Sequence, residues 1–461
     1  MLFSSITFLY YFLPLTMALY LMVPKRFKNL VLLLASLVFY AWGEPKYVFL
    51  MAGSILLSYG FGLLIEKFRG KRAGRFFCIV SVLFSLSFLL YFKYADFFLE
   101  NFNAVTGAHI PLLNIALPIG ISFYTFQLIS YTVDVYRGEK AQKNIISLAV
   151  YIAMFPQLIA GPIINYSEVR LKMNGRTVTL QQFEDGLKLL VIGLASKVVI
   201  ADRIGMLWNN IQGIGFESIS TMLAWMGAFA YSIQLYFDFL GYSLMAMGLG
   251  AMLGFEIPRN FFHPYISKSV SEFWRRWHIT LGRWFRDYVY IPLGGNRKGK
   301  VRTMCNLLVV WALTALWHGA SGNYLVWGAS LLVLLMLEKL FFLPYLEKSK
   351  VVGHLYLLFV VPLTWVAFAI PDVKQIGVYF TRLFPFFGTA GAVNQQDYLR
   401  YLKDFLPLFF LGILFATPYP AAFYKLIQRK WLGNVLMIGL LGLSLYYLAI
   451  STNNPFLYFN F

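Results

Sequence analysis

Two histidines in this 461-residue chain stand where acid–base chemistry could be done away from bulk water, His318 and His278. His318 ends an apolar run from Asn306 to Trp317 and is followed by Gly319-Ala320-Ser321-Gly322-Asn323, after which a second apolar run starts at Tyr324. An ionisable side chain between two such runs is costly unless it faces a protein-lined or wet cavity, which makes it a functional candidate. Gly319 and Gly322 permit a local break and a close backbone approach there. Histidine titrates near pH 6.5, and apolar burial favours the neutral imidazole that a general base needs. Such a ring could take the proton of an acceptor hydroxyl as its oxygen attacks a thioester carbonyl. The alternative is a ring that bonds a neighbouring helix and does no chemistry. Ser321 does not make a nucleophile elbow, which needs a strand the apolar pattern does not provide. Cys78 and Cys305 both lie in apolar runs without metal-ligand spacing, so neither a disulfide framework nor a metal site is expected.

The second histidine sits in a segment of different character, Phe255 to Thr303, in which Arg259, Lys268, Arg275, Arg276, Arg283, Arg286, Arg297, Lys298, Lys300 and Arg302 outnumber Glu256, Glu272 and Asp287. Its core, Ser271 to Tyr288, mixes arginine with tryptophan and phenylalanine too densely for a free span. It predicts one or two helices at the membrane interface or dipping into it, with Ser271-Glu272 as a helix-start cue. On one continuous helix Trp274, Trp277, His278 and Leu281 share a face, and the arginines point elsewhere. Either His278 is a hydrogen-bonded interfacial residue and the arginines hold lipid phosphates, or the arginines form a cytoplasmic mouth that attracts a phosphate-bearing donor. Pro292, Gly294 and Gly295 then predict a tight turn whose amides could face a phosphate, although no Walker or dinucleotide fingerprint is present.

The elements that must hold these residues are membrane helices. Hydrophobic residues make up 59% of the chain, aromatic residues 19% and charged residues only 13%, more apolar surface than one soluble core requires. They fall in continuous blocks, among them Phe3 to Val23, Phe76 to Phe92, Tyr324 to Leu337 and Val435 to Ile450, rather than in the alternation of a barrel strand. Roughly eleven to fourteen blocks can be drawn, some too short to cross the hydrocarbon. The first reads as a retained span with the amino terminus outside, because no basic region precedes it and Lys25, Arg26 and Lys28 follow it. The formal net charge of +19 is scattered over short loops, as positive-inside topology requires, and does not point to nucleic acid. Most of Asp134, Gln157, Lys197, Asp202, Arg203 and Asp238 are expected to be paired structurally. Interruptions at Pro118-Ile119-Gly120, Pro156-Gln157 and Gly161-Pro162 suggest either a cavity or ordinary kinks between packed helices. Without repeats or a long linker, one membrane domain over residues 1–461 is the economical organisation.

Phe273-Trp274-Arg275-Arg276-Trp277-His278, Trp284-Phe285-Arg286-Asp287-Tyr288-Val289-Tyr290-Ile291-Pro292-Leu293-Gly294-Gly295-Asn296 and Leu316-Trp317-His318-Gly319-Ala320 together resemble the membrane-bound O-acyltransferase family, and within it the bacterial alginate O-acetylase branch. The resemblance extends to Leu117 to Phe126, Ile159 to Ile163 and Tyr236 to Tyr242, and covers most of the chain up to about Leu340. It implies an all-α polytopic bundle with re-entrant or interfacial helices around a central tunnel. It also implies His318 as the principal catalytic residue and His278 as a second one, catalytic or structural. The donor-binding candidates within the matching motifs are Trp274, Arg275, Arg276, Arg286, Asp287, Tyr290 and Asn296. Acetyl-CoA would be the acyl donor, a substrate rather than a cofactor, entering from the cytoplasm of a bacterium. A polysaccharide would be the acceptor, and a secreted or membrane-anchored SGNH-type acetyltransferase the partner. The related D-alanyl branch instead takes its acyl group from a carrier protein. Two other classes compete: a transporter of lipid-linked sugar gated by the arginines, and a scaffold for a polysaccharide synthase in which His318 only packs.

Overall fold

The computed structural model describes residues 1–387, 393–450 and 456–457, which are helical with no strand among them. The long apolar blocks become helices. Tyr47–Lys67, Arg72–Thr106, Thr221–Met252, Gly322–Lys348, Lys350–Ala369 and Trp431–Ile450 are each long and apolar enough to cross a bilayer. Asp397–Ala416 and Tyr419–Ile427, bent by 73° at their junction, make a seventh if they count as one broken span. The protein is therefore a multi-pass membrane protein. Thr221–Met252 is its most enclosed span, with 78% of its apolar window buried, whereas Trp431–Ile450 buries only 17% and leaves most of its surface to lipid. The opening block differs from its expectation as a first span. Its helix, Thr7–Met22, is among the shorter apolar ones. At 1.5 Å per residue it reaches about 24 Å, short of the roughly 30 Å of hydrocarbon. Pro24 stops it by forcing Val23 into an extended conformation, φ −76° and ψ 148°.

The chain groups into two compact units, each assembled from separate stretches: Met1–Leu190 with Tyr242–Arg259, and Val191–Gly241 with Asn260–Phe461. In the first unit the proline–glycine interruptions pack against one another. Gly120, at φ 77°, opens the Ile121–Arg137 helix, and a Cβ on it would lie 2.6 Å from the Leu158 carbonyl oxygen. Gly161 backs in the same way onto Pro156 and Gln157. Backbone groups freed by these breaks find partners within the protein: the Phe155 amide donates to Ser36 Oγ at 3.1 Å, the Tyr151 hydroxyl donates to the Ile164 carbonyl at 2.9 Å, and the Gln157 side-chain Nε2 donates to the Tyr151 carbonyl. At these positions the breaks pack closely against one another, as the kink reading expects, since a broken helix in lipid must satisfy its polar groups internally.

Lys197, Asp202 and Asp238 pair as expected, whereas Arg203 lies over the Tyr447 ring at 5.1 Å. In the second unit the buried Lys197 ammonium lies 2.5 Å from Asp202 and 2.8 Å from Asp238, whose other oxygen accepts the Leu457 amide. In the first unit Asp134 accepts the Ser167 amide at 3.1 Å.

The Leu180–Ala195 and Thr221–Met252 helices touch backbone to backbone within the first unit, because Gly186 and Gly248 face each other's carbonyl oxygens; a Cβ on Gly186 would sit 2.6 Å from the Gly248 oxygen. Gly248→Leu is expected to force these helices apart and lower stability by about 1–3 kcal/mol, the usual range for overpacking. A lower thermal midpoint in detergent, with Gly53→Leu as the control at a glycine with open space around it, checks this.

Candidate active site

The segment carrying His278 is two short helices, Val270–Arg276 and Ile279–Phe285, followed by a wide turn over Arg286–Tyr290. The first starts at Ser269, two residues before the expected cue, where the Ser269 hydroxyl accepts the Glu272 amide at 3.0 Å. Glu338, fully buried in the Gly322–Lys348 helix, accepts the amides of Val270 and Ser271 and completes the cap. A carboxylate at this end also opposes the positive pole of the helix dipole.

The single-helix face expected for Trp274, Trp277, His278 and Leu281 does not form. The helix ends at Arg276, Trp277 is extended, and His278 is left-handed at φ 45° and ψ 51°. Residues 260–262 bridge the break: the Ile279 amide donates to the Asn260 carbonyl at 2.9 Å and the Phe262 amide to the Arg276 carbonyl at 3.0 Å. Asn260 Oδ1 also takes the Thr280 amide at 3.3 Å and the Thr280 hydroxyl at 3.0 Å. Since a backbone amide donates to it, that atom is an acceptor. His278 Nδ1, 3.1 Å away, therefore carries the ring proton, and Nε2 is the basic nitrogen of the neutral ring. Burial pushes the His278 pKa down to about 3, which keeps the ring neutral.

His318 is the last residue of the Gly299–His318 helix, and the chain turns through Gly319-Ala320-Ser321 before the next helix begins at Gly322, as the sequence predicts. Its ring is 4% exposed and is walled by Trp317, Trp327, Phe368 and Tyr324, at centroid distances of 4.9, 4.9, 5.3 and 6.3 Å. Gly319 is needed at this corner because a Cβ there would run into the Tyr324 ring. Trp317 also lies 6.0 Å from His278, which stands edge-on to Phe239 at 4.7 Å. The two histidines thus belong to one aromatic cluster and share Trp317. Two cavities of about 500 and 530 Å³ lie in the first unit, and neither histidine is among their lining residues.

Of the donor-side candidates, Trp274 alone joins this cluster, through Trp311 at 5.0 Å, Trp327 at 5.8 Å and Trp365 at 6.1 Å. Arg275 is exposed, Arg276 is ion-paired to Glu272 at 2.8 Å, and the exposed Arg286 is paired to its neighbour Asp287 at 2.7 Å. Tyr290 is half-buried and Asn296 exposed. The Gly294 and Gly295 amides close their own turn on the Ile291 and Tyr290 carbonyls at 2.9 Å, so they are not available to a phosphate as the sequence suggested.

Asn260, Glu338 and the Trp327–Trp365–Phe368 wall were not singled out by sequence. Glu338 left a trace, as a lone carboxylate at the end of the Tyr324 to Leu337 run. Asn260→Ala strands the Thr280 donors and the His278 ring, and should lower unfolding free energy by about 1–3 kcal/mol. Because the folded His278 pKa lies below its unfolded value, the unfolded state takes up the proton first. Stability should therefore fall as pH drops from about 6.5 toward 3, by up to about 1.4 kcal/mol per unit, and His278→Gln should remove that slope. Unfolding of the purified proteins across this pH range measures both effects.

The family model of the membrane-bound O-acyltransferases matches residues 136–373, which include both histidines. The chain is 38% identical over 488 residues to the probable alginate O-acetylase AlgI of Pseudomonas putida, with all of both chains covered. It is 31% identical over 518 residues to the peptidoglycan O-acetyltransferase of Helicobacter pylori, covering 100% of this chain and 98% of the relative. With the teichoic acid D-alanyltransferase of Bacillus subtilis it shares 30% identity over 233 residues, 48% of this chain and 58% of the relative. An all-helical multi-pass chain whose two clustered histidines fall inside the matched region belongs to the membrane-bound O-acyltransferase family and is an O-acyltransferase.

Proposed function

We propose that this enzyme takes acetyl from cytoplasmic acetyl-CoA and moves it across the plasma membrane of a bacterium for O-acetylation of an extracellular or cell-wall polysaccharide. A secreted or membrane-anchored SGNH-type acetyltransferase would be the receiving partner. The observation that carries the reading is the enclosure of His318, at a helix break, in one aromatic cluster with His278. Two relatives named as O-acetylating enzymes align with essentially the whole chain, whereas the D-alanyltransferase aligns with about half, and this favours acetyl over D-alanyl.

In the proposed reaction the neutral His318 imidazole accepts the proton of the acceptor hydroxyl as that oxygen attacks the thioester carbonyl. The tetrahedral intermediate collapses by breaking the C–S bond, and the imidazolium returns its proton to the departing thiolate, so the ring ends neutral. The indole and phenyl walls exclude water, which would otherwise hydrolyse the thioester. His278, bonded through Nδ1–H to Asn260, orients the Trp317 wall and is assigned a positioning role. The donor-side assignment of Trp274, Arg275, Arg276, Arg286, Asp287, Tyr290 and Asn296 is part of the same proposal. Trp274 is supported by its place in the aromatic wall, and Arg275 and Arg286 by exposed guanidiniums able to meet phosphate.

His318→Ala should reduce transfer of label from radioactive acetyl-CoA by about 10²–10⁴-fold in reconstituted membranes, with wild-type levels of folded protein. Near-normal transfer by that variant would reject His318 as the base. Label transfer from a D-alanyl carrier protein but not from acetyl-CoA would replace acetyl by D-alanyl, and loss of folded protein without a change in turnover per molecule would indicate a packing role.

A further inference from the structure

We infer that the first unit carries a binding site for a phosphate-bearing anion, built on the buried guanidinium of Arg176 and on Lys25, Arg26 and Lys28. These four cations line a cavity of about 530 Å³ together with Asn29 and Asn144, and no carboxylate is among its lining residues. A second cavity of about 500 Å³ has Arg176 in its wall as well, beside Thr177, Thr179 and Gln182, with Asp185 as its acidic member. The larger cavity falls within the roughly 300–1,000 Å³ of small-ligand pockets.

Arg176 is the centre of this site: it is only 9% exposed, and its hydrogen bonds among the described residues go to neutral groups and to no carboxylate. Its Nε donates to the Tyr20 hydroxyl at 2.8 Å and to the Leu253 carbonyl at 3.1 Å. Nη1 donates to Asn29 Oδ1 at 2.6 Å and to the Met173 carbonyl at 3.0 Å. These acceptors are all neutral, and the buried Nη2 has no acceptor among the described residues. The rings of Tyr20 and Phe255 lie under the guanidinium at 5.7 and 4.3 Å, which fixes its plane. A buried positive charge with neutral neighbours and a donor left over is destabilising for the protein alone, and an anion relieves it.

Lys28 is crowded as well: burial first, then the charges of Arg176 and Lys25, hold its ammonium below the ordinary lysine value. Four like charges around one cavity call for a multiply charged anion with several acceptor oxygens, and a fixed guanidinium fork matches phosphate. The site follows directly on the short Thr7–Met22 apolar helix, so a phospholipid headgroup and a soluble phosphate ester are both possible sources. The site is separate from the acyl-transfer residues, as His278 and His318 belong to the other unit.

The test uses the purified full-length protein with two probes: dioleoyl phosphatidylglycerol, against phosphatidylcholine, by native mass spectrometry, and adenosine 3′,5′-bisphosphate by equilibrium binding. Lys25→Gln/Lys28→Gln removes two of the cations and none of the Arg176 hydrogen bonds. At least one probe should bind saturably, and the double variant should bind it about tenfold more weakly. If its ligand-free melting temperature falls, the exposed Arg26→Gln should give about threefold weakening instead. A loss confined to phosphatidylglycerol identifies a lipid headgroup, and a loss confined to the bisphosphate identifies a soluble phosphate. Saturable binding by neither probe, or binding undiminished in the variants, overturns the site.

Discussion

A break in a buried helix strands amide and carbonyl groups that neither lipid nor apolar side chains can satisfy, and the second unit depends on how Asn260 resolves that problem. The backbone of residues 260–262 supplies partners on both sides of the Trp277–His278 corner, while one Asn260 side-chain oxygen takes the Thr280 amide, the Thr280 hydroxyl and the His278 ring. Only with those bonds in place can His278 hold a left-handed conformation, uncommon for a residue with a Cβ. From that corner Trp277 stacks on Phe273 at 5.4 Å and meets Trp365 at 5.0 Å, and His278 reaches the Trp317 ring that also borders His318.

The charges of the same segment are kept off the aromatic cluster. Arg276 is tied to Glu272 one turn back, Arg286 to its neighbour Asp287, and Arg275 is exposed, whereas Phe273, Trp277, Leu281, Trp284 and Phe285 are buried. Alternating arginine with aromatic residues therefore lets one short stretch present both a buried aromatic wall and exposed or ion-paired arginines. A dry compartment strengthens the electrostatic part of a proton transfer and limits loss of an activated acyl group to water.

Much of this was legible in the residues. Continuous apolar blocks exclude barrel strands, and the Trp317-His318-Gly319 corner could be located because a histidine between two apolar runs has few structural excuses. The buried lysine and carboxylates were expected to pair, and do. What failed was what depends on distant parts of the chain. A period of 3.6 placed His278 on a continuous helix face, but periodicity carries no information about the strand-like bridge from residues 260–262 that ends the helix at Arg276. The proline–glycine breaks were readable as breaks, yet whether they open a cavity or close on one another depends on the Gly120–Leu158 contact, between residues far apart in sequence.

By itself, then, the sequence determined that the protein is helical, multi-pass and basic on its loops, and that His318 lies at a helix end, because composition and hydropathy are local and additive along the chain. Only the tertiary structure decided that Asn260 fixes the His278 tautomer, that Glu338 caps the helix leading to it, and that Arg176 is buried near three other cations with neutral hydrogen-bond partners. Each of these is a contact between residues separated by many turns, and its energy exists only once packing has removed water from between them.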